Sequence, residues 1–346
     1  MVNAGANNGG GLPFPEMQSP SIPRVEWDGN FVVSVNTKMN YVTKETVEVN
    51  VRRDVSGVDT IYEGATWDAV EVPIHNARLS NPPKTLDEHG YQLVEEPVAS
   101  CEIDFLNTND VIDRYYPDCE QLLKNVLGEN EIDDVKAFDH NVRINTNGFG
   151  PELKGGGGSK AQVPLGIVHG DYTSVSAPTR AKDLAQPPKA NDVLKRRLGD
   201  SSLLDANTLE DVINGKRRFA IINVWRSIDK EHPVEELPLA CMDAGSASEE
   251  DFRILKIHYL DRVGQNYFMA HSKTHNWNFF PKMTHNEAIL LKTWDSSGEY
   301  AMTGKNLGTT MATLAVHSAF LDPSSPSERP ARQSIEVRCL AIWKVR

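Results

Sequence analysis

Apolar and polar residues alternate in many short runs along this chain, a period of two that is typical of β-strands with one buried face. Near the start, the clearest runs are Phe31–Val35, Thr46–Val51 and Ala69–Ile74. Further along we predict strands at Arg218–Trp225, Phe252–Tyr259, Gln265–Met269, Asn276–Phe280, Met311–His317 and Ser334–Val345. Many short strands with long connections favour a mainly β fold, either a barrel or a jelly roll.

Apolar residues with helical spacing are found in only a few places. Asp110–Leu127 is predicted to be helical, with a break at Pro117 because proline cannot complete the backbone hydrogen bonding of a helix. A second helix is predicted at Thr284–Thr293. The polar segment Asp183–Lys216 is interpreted as a helical insertion or lid beside the β fold. It contains two short helical patterns, Asp192–Leu198 and Thr208–Asn214.

The chain divides into a leader and one domain. Residues 1–25 are rich in Gly, Pro and Asn, a composition that predicts a flexible N-terminal leader. Residues 26–346 are predicted to form a single domain, since all-β domains of about 250 residues are common. Within that domain, the run Gly155–Gly158 predicts a flexible loop, although its sequence also resembles an engineered linker.

Composition and charge exclude several classes of protein. The formal net charge of the 346 residues is −12 and the pI is about 5.3, so the chain has no general electrostatic basis for binding nucleic acid. No apolar run approaches the roughly 20 residues that span a membrane. Residues 1–15 lack the pattern of a secretory signal. The four cysteines are widely spaced, which predicts reduced thiols and a cytoplasmic location. The oligomeric state stays open.

A metal site is suggested by two histidines and one aspartate. His169 and Asp171 are two residues apart on a short apolar stretch, so on a strand both project to the same side. A distant histidine, His317, ends the apolar run Met311–Val316. Two histidines and a carboxylate are the donor set of a facial iron(II) site, which leaves coordination positions open for reactants. The His-x-Asp pair alone is weak evidence, because a surface histidine at a strand end is common.

An arginine and a serine follow the last of these residues. Arg332 and Ser334 come fifteen and seventeen residues after His317 and share one face of the final predicted strand. Together they can hold a carboxylate, because the guanidinium forms bidentate charged hydrogen bonds. Arg332 alone could instead pair with Glu328 or Glu336 at the surface. The ordered set of four residue types is harder to obtain by chance, and it predicts a locally positive pocket in an acidic protein.

Motifs over residues 39–346 resemble one family of iron(II)/2-oxoglutarate oxygenases. This family includes the CmcJ-, NvfI- and AsaB-like hydroxylases and desaturases and the fungal gibberellin desaturase. The matching stretches are Met39–Val42, Ile74–Arg78, Phe138–Arg143, Val168–Thr173, Ile222–Arg226, Pro281–Ser296, His317–Pro323 and Arg332–Arg338. The chain departs from the family where Trp277-Asn278-Phe279-Phe280-Pro281 replaces a pattern with two tyrosines.

The resemblance implies a fold and an activity. The fold would be a double-stranded β-helix, the cupin-like jelly roll, with flanking helices. Iron(II) would be held by His169, Asp171 and His317, and Arg332 with Ser334 would hold 2-oxoglutarate. With O2 as the second cosubstrate, the enzyme would abstract hydrogen from a small molecule, such as a secondary metabolite or an amino-acid derivative. Hydroxylation, desaturation and oxidative cyclisation are all compatible with this chemistry.

Further residues are predicted as possible substrate or cosubstrate contacts. They are His140, Arg143, Arg180, Asn223, Trp225, Arg226 and Asn278. Structural roles compete with this interpretation, since Arg226 suits a buried ion pair and Trp225 a core aromatic position. Arg338 lies six residues beyond Arg332, about 20 Å along a strand, so we expect it not to reach the same carboxylate.

Three other functions use the same metal ligands. An iron oxidase could bind its substrate carboxylate at Arg332 and need no 2-oxo acid, and formation of succinate separates it from the oxygenase. A cupin-like module could bind the metal without catalysis, although structural metal sites usually have four protein ligands. A zinc hydrolase could also use two histidines and an aspartate.

Overall fold

The structure is a computed structural model, and it describes residues 32–53, 61–99, 102–145, 162, 164–189, 192–260, 262–305 and 311–345. The predicted leader, residues 1–25, and the run Gly155–Gly158 lie outside these ranges. Across the described ranges the chain is mainly β-strand, with short helices between and beside the strands. None of the described helices is both long and apolar enough to cross a membrane.

Two sheets contain the strands of the described ranges. The strands are β1 Ser34–Val42, β2 Glu48–Arg52, β3 Trp67–Asn76, β4 Tyr91–Glu95, β5 Ile132–Ile144, β6 His169–Gly170, β7 Phe219–Ser227, β8 Leu239–Met242, β9 Phe252–His258, β10 Val263–Met269, β11 Trp277–Phe279, β12 Glu287–Asp295, β13 His317–Ala319 and β14 Gln333–Trp343. The large sheet has the order β1-β3-β11-β8-β13-β6-β10-β9-β2, and the small sheet has the order β4-β12-β7-β14-β5.

Seven α-helices are seen in the described ranges. They are α1 Leu86–His89, α2 Thr108–Asp110, α3 Tyr116–Leu127, α4 Ser176–Leu184, α5 Lys195–Leu198, α6 Ala206–Ile213 and α7 Glu299–Thr303. No break is seen at Pro117, because the helical backbone continues from Thr108 to Leu127. The hydrogen-bond pattern changes instead, with a π-helical turn at Val111–Tyr115 just before Pro117.

The two sheets face each other, which makes the predicted double-stranded β-helix the correct fold class. Trp225 and Ile289 of the small sheet share a buried apolar cluster with Leu239 and Cys241 of the large sheet. On its other face the small sheet packs against α3, whose Tyr116 and Leu123 are fully buried. β7 lies near the centre of the small sheet, and all nine of its residues are buried. Side chains between the sheets are therefore removed from water.

The prediction of a helix at Thr284–Thr293 is wrong. This stretch contains most of β12, which pairs with β4 on one side and β7 on the other. All but the first of its nine residues are buried, so the continuous apolar run is covered on both faces. A run of this kind lacks the alternation of a half-buried strand and is compatible with either element. The segment forms a strand because it pairs with β4 and β7 on its two sides.

The strand predicted at Met311–His317 is also largely wrong. The strand in this region is β13, which begins at His317 and has three residues. Residues 312–316 are buried and bond to other segments only in places, for example from the Ala315 N–H to the Lys292 carbonyl. The stretch is apolar because it is buried, although it does not pair as a regular strand.

The segment Asp183–Lys216 contains helices α5 and α6 close to the predicted positions. Its apolar side chains Leu184, Leu194, Leu204 and Val212 belong to the main hydrophobic core. The segment is therefore anchored to the body of the protein at several points. A role as a lid stays a prediction.

Candidate metal centre

Strand pairing brings the three predicted metal ligands together. His169 of β6 lies directly opposite His317 of β13 in the large sheet, although 148 positions separate them in the sequence. Asp171 follows β6 by one residue. Their possible ligand atoms all lie within 4.8 Å of one another, and no other such group of three is found among the described residues. The predicted triad is thus a spatial cluster.

The distances within the cluster suit a single metal ion. The Asp171 Oδ1 atom lies 3.6 Å from His169 Nε2 and 4.0 Å from His317 Nε2. Two ligands that each bind one ion at about 2.1 Å can be at most about 4.2 Å apart. Both distances to Asp171 fall below that limit, and the ligand nitrogens of the two histidines lie within 4.8 Å of each other. Two imidazole nitrogens and one carboxylate oxygen also match the preferences of iron(II), so the residues fit this ion.

Each histidine is oriented by a hydrogen bond to its own strand. His169 Nδ1 lies 2.7 Å from the Ile167 carbonyl, and His317 Nδ1 lies 3.4 Å from the Ala315 carbonyl. A carbonyl only accepts, so Nδ1 carries the proton and the Nε2 lone pair faces the cluster. Burial, with a smaller effect of His317, lowers the pKa of His169 to about 4. The imidazole is therefore neutral at physiological pH, as a metal ligand must be.

Asp171 is held as a carboxylate. Its Oδ2 accepts a hydrogen bond of 2.8 Å from Asn223 Nδ2 on β7, which leaves Oδ1 toward the histidines. Burial alone would raise the pKa of Asp171, but His317, Arg338, His169 and the Asn223 hydrogen bond lower it to about 2. Asn223 thus connects the small sheet to the metal ligands, in the way that hydrogen-bonding partners commonly orient ligand side chains.

The cluster lies in a cavity between the two sheets. The cavity encloses about 370 Å³ that protein atoms do not occupy, including the part open to solvent. Its lining residues are Arg143, Leu165, His169, Asp171, Trp225, Leu239, His317, Ala319, Arg332, Glu336 and Arg338. Three guanidinium groups therefore stand against two carboxylates, as the prediction of a locally positive pocket requires.

Strand register explains why so many charges face this cavity. In β14 the residues Ser334, Glu336 and Arg338 alternate with the apolar residues Ile335, Val337 and Cys339. Directly opposite residues of paired strands share a face of the sheet. The polar face of β14 therefore continues onto both neighbours, in the three rows Arg143–Ser334–Ser227, Asn141–Glu336–Trp225 and Asp139–Arg338–Asn223. We call these nine residues the polar wall.

Comparison with known proteins places the chain among oxidoreductases. The model of the family described as oxidoreductase/YMDC permease-like domain matches residues 36–199 and 202–342. The chain belongs to this family. The resemblance stated from the motifs is also confirmed, since curated relatives include fungal hydroxylase/desaturases and the dioxygenase NvfI of Aspergillus novofumigatus.

Two relatives and one solved structure illustrate the family. An uncharacterised protein of Methylophilus leisingeri, encoded in the dcmA 3' region, is 35% identical over 57% of this chain and 92% of its own length. The hydroxylase/desaturase EfuI of Hormonema carpetanum is 26% identical over 90% of this chain and 96% of its own length. The solved structure of the iron and alpha-ketoglutarate-dependent endoperoxidase NvfI superposes with a TM-score of 0.66 at 22% identity, over 91% of this chain and 99% of that chain.

Arg332 and Ser334, the predicted anchor of this family member, are both buried. Arg332 is 4% exposed and lines the cavity, with its guanidinium 5.6 Å from the centre of the Trp225 ring. Its Nη1 donates to the Leu237 carbonyl, whereas its Nε has no hydrogen-bond partner among the described residues. Ser334 is 1% exposed and belongs to the polar wall. Neither residue points to bulk solvent.

Arg338 lines the same cavity as Arg332, an association that sequence spacing did not indicate. Its guanidinium donates to Asp139 at 3.2 Å and to Glu336 at 3.0 Å. Burial raises the pKa of Glu336, and the charge of Arg338 offsets part of that effect. From the sequence, Glu336 is expected only as a surface partner of Arg332, and the alternation along β14 is the signal that places it on the cavity side.

The structure separates the other predicted contacts into two groups. Arg143, Asn223 and Trp225 belong to the polar wall, and Arg143 and Trp225 line the cavity. The remaining four do not line it, and they are His140, Arg180, Arg226 and Asn278. The sequence could not separate the groups, because all seven residues are polar or aromatic and residue type does not show which face of an element each one occupies.

The four residues outside the cavity have contacts of their own. His140 bonds to the Tyr116 hydroxyl at 2.8 Å on the side of α3. Arg226 donates to the Tyr115 hydroxyl and to the His285 carbonyl. The Arg180 guanidinium lies 4.8 Å from the Phe138 ring centre. The last residue, Asn278, donates to Asp243 at 3.3 Å. The structure thus favours structural roles for these four.

Proposed function

We propose that this protein is an iron(II)/2-oxoglutarate-dependent oxygenase that acts on a small molecule by hydrogen abstraction. The observation that carries the proposal is the cluster of His169, Asp171 and His317 in a cavity that also contains Arg332. The jelly-roll fold and membership of an oxidoreductase family support it. The products of 2-oxoglutarate would be succinate and CO2, and the substrate would be hydroxylated, desaturated or cyclised.

The metal ligands divide the work of binding iron. Iron(II), when bound, supplies the site at which O2 is activated by oxidation of a 2-oxo acid, so that hydrogen can be taken from the substrate. His169 and His317 offer neutral nitrogen lone pairs, and Asp171 contributes a negative charge. Asn223 holds the second oxygen of Asp171 and so fixes the orientation of the carboxylate.

Arg332 and Ser334 anchor the cosubstrate in this proposal. The 2-oxo acid end of 2-oxoglutarate would bind at the metal held by His169, Asp171 and His317, so its distal carboxylate would need a separate binding group. Arg332 offers a buried guanidinium whose Nε is unpartnered among the described residues. The Trp225 ring beside it limits the positions that the guanidinium can adopt. Charged hydrogen bonds of this kind contribute about 1.5–3 kcal/mol each.

The apolar part of the lining excludes water from the reacting atoms. Leu165, Leu239 and Ala319 form an apolar part of the cavity lining. Because the side chains of the site are shielded from water, the electrostatic interactions between them are stronger than at the surface. A substrate with apolar surface would contact this side, while its polar groups would face the wall.

The proposal is tested by coupling of 2-oxoglutarate oxidation to substrate. Protein reconstituted with iron(II) under anaerobic conditions is mixed with 2-oxoglutarate and then with O2, and succinate is measured with and without fractionated metabolite extracts. We expect slow succinate formation that one or more fractions stimulate. If a fraction is oxidised while no succinate forms, the chain is the oxidase that needs no 2-oxo acid.

The anchor is tested with Arg332→Leu. We expect the affinity for 2-oxoglutarate to fall about ten- to a hundredfold, while the affinity for iron(II) changes little because Arg332 is not a ligand. Arg180→Leu is the matched control, since this arginine lies outside the cavity. An unchanged affinity in Arg332→Leu would assign the anchor to another residue.

A further inference from the structure

A buried carboxylate that is not a metal ligand faces the cavity. Glu336 is 8% exposed and lines the cavity beside the candidate metal ligands. Its Oε1 accepts a hydrogen bond of 3.0 Å from Arg338, while its Oε2 has no hydrogen-bond partner among the described residues. Asp171, the other carboxylate described in the cavity lining, belongs to the metal cluster. Glu336 is therefore a charged group of the cavity to which the proposed function gives no role.

Glu336 is a counterion that the arginines of the cavity share. Burial lowers the pKa of Arg332 to about 9 and also lowers the pKa of Arg143, and in both cases the charge of Glu336 opposes the change. Arg338 donates directly to Glu336 and has a second carboxylate partner in Asp139. A buried cation is costly without a counterion, so the carboxylate of Glu336 stabilises these arginines when no cosubstrate is bound.

The surroundings of Glu336 favour its neutral form more than water does. Burial raises the pKa of Glu336, Arg338 lowers it in part, and the charge of Asp171 raises it further. The charged and titratable groups that face Glu336 or its partner Arg338 are Arg143 and Asp139 of β5, Arg332 before β14, Tyr172 after β6, and His169, Asp171 and His317 of the metal cluster. On its cavity face β7 adds no charge, because Trp225 lies opposite Glu336 and Asn223 opposite Arg338. Further negative charge in the cavity therefore shifts Glu336 toward the neutral acid.

The position of Glu336 on the polar wall places it along the proposed cosubstrate. The row of Ser334 lies next to Arg332, where the distal carboxylate would bind. The row of Arg338 contains Asn223, which bonds to the carboxylate of the metal cluster. The row of Glu336 lies between these two rows. 2-Oxoglutarate carries two negative charges, so its binding adds like charge beside Glu336 and offsets the two positive charges of the metal ion.

We propose that Glu336 is the counterion of the cavity arginines in the protein without cosubstrate, and that it takes up a proton from solution when 2-oxoglutarate binds. The proton adds to a carboxylate oxygen of Glu336, and the carboxylates of the cosubstrate supply the negative charge that the arginines lose. The inference rests on the proposed function and deepens it. Because the bound state holds the additional proton, the affinity for 2-oxoglutarate falls as the pH rises from the pKa of Glu336 before binding to its higher pKa after binding.

The test counts the protons that accompany cosubstrate binding. Protein loaded with manganese(II), which does not support turnover, is titrated with 2-oxoglutarate by calorimetry at about pH 7 in PIPES and in MOPS, two buffers with different enthalpies of ionisation. The dependence of the heat on the buffer gives the number of protons taken up. The metal is bound before the titration, so protons released by its ligands are not counted. We expect the wild type to take up about 0.3 to 1 proton per 2-oxoglutarate bound.

Glu336→Gln keeps the shape of the side chain but cannot take up the proton. We expect its uptake to fall below about 0.1 proton, and its affinity to stay within about twofold over a range in which the wild type loses about three- to tenfold per pH unit. Glu120→Gln is the matched control. Burial raises the pKa of Glu120 as well, but this residue lies on α3 and accepts from the Ala137 N–H outside the cavity. The control variant should take up as many protons as the wild type.

The other results separate this inference from the proposed function. If manganese(II)-loaded wild type does not bind 2-oxoglutarate, the proposed function is contradicted and this inference falls with it. If 2-oxoglutarate binds without proton uptake, Glu336 does not change its protonation and the proposed function stands. The same conclusion holds if Glu336→Gln takes up as many protons as the wild type.

A measurement on the wild type decides the question if Glu336→Gln does not fold. Infrared difference spectra before and after addition of 2-oxoglutarate should show a new C=O stretch of a protonated carboxylic acid. Asp171, the other carboxylate described in the cavity lining, is a candidate metal ligand and stays ionised when the metal is bound. Absence of the new band contradicts the proposal.

Discussion

His169 and His317 are oriented by the same local arrangement. Each ring donates from Nδ1 to the carbonyl two residues earlier in its own strand. The ring centres lie 4.3 Å apart with the rings tilted by 55°, so both Nε2 atoms turn toward Asp171. The orientation is therefore built into the protein, and little reorganisation is needed when a metal binds.

We expect His169→Ala, Asp171→Ala and His317→Ala each to abolish tight binding of iron(II). Each removes one of three ligands, and two ligands hold a divalent ion far less well. Metal content after anaerobic reconstitution and dialysis provides the measurement. His258→Ala is the control, because His258 bonds to Asn50 away from the cluster. Full metal occupancy in any one variant would remove that residue from the triad.

Asn223 is the residue whose effect on the metal is indirect. Asn223→Ala removes the 2.8 Å hydrogen bond to Asp171 Oδ2, so the carboxylate can rotate. We expect iron(II) affinity to fall about ten- to a hundredfold, as for other partners of metal ligands. A competition titration against a chelator measures this change. Asn276→Ala, which loses a hydrogen bond to Asp243 elsewhere, should keep the wild-type affinity.

Strand β14 separates the two environments of the small sheet. Its polar residues face the cavity, while Ile335, Val337 and Cys339 are fully buried on the other side. The period of two thus gives one strand a face that borders the cavity and a face that lies in the hydrophobic core. β12 shows the opposite case, since it is buried on both faces and its sequence carries no alternation.

At the end of β12, a buried ionic cluster links the strands of the small sheet. Asp295 is 0% exposed and bonds to Arg218 and to Lys292, the latter at 2.9 Å. Burial alone would raise the pKa of Asp295, but Lys292 and Arg218 lower it below its ordinary value. The stability that Asp295 provides is therefore complete above about pH 4, the unfolded pKa, and is lost as the pH falls toward the lower folded pKa.

We expect Asp295→Asn to destabilise the protein by about 3 kcal/mol at neutral pH, because the buried Lys292 and the half-buried Arg218 then keep only the exposed carboxylate of Asp87 as a partner. Urea denaturation at pH 7 and at about pH 2.5, well below the unfolded pKa of Asp295, measures the free energy of unfolding. The difference between wild type and variant should shrink at the lower pH. Asp200→Asn is the control, since the Asp200 side chain is 99% exposed and its loss should change stability by less than about 1 kcal/mol.

At the scale of the whole molecule, the cavity joins the two sheets. Its metal ligands come from the large sheet, and its arginines come from the small sheet and the segment before β14. A ligand that contacts the metal ligands and the arginines bridges the two sheets, so its binding should stabilise the folded protein as a unit. At about a hundred times the dissociation constant, binding adds about 2.7 kcal/mol.

Manganese(II) with 2-oxoglutarate should therefore raise the melting temperature by several degrees. Differential scanning fluorimetry measures the shift. In Asp171→Ala the metal should produce no shift, and 2-oxoglutarate should add none. A shift that persists in this variant would show that the ligands bind elsewhere on the protein.

The sequence by itself pointed to the candidate metal ligands and the candidate anchor. The spacing of His169 and Asp171, the distant His317 and the Arg332-x-Ser334 pair could be read as ligands and anchor because strand alternation assigns a face to each residue. The jelly roll followed from many short strands together with the family resemblance. These inferences need only the order and periodicity of residues along the chain and the motifs that it shares with the family.

Tertiary structure decided which other residues meet that chemistry. Arg143 and Asn223 face the cavity, whereas His140 and Arg226, one strand position away from cavity-facing residues, turn to the helix side. The same holds for β12, which became a strand because β4 and β7 lie on its two sides. Pairing partners far apart in sequence and their register set these outcomes, and a shift of one residue would reverse every face.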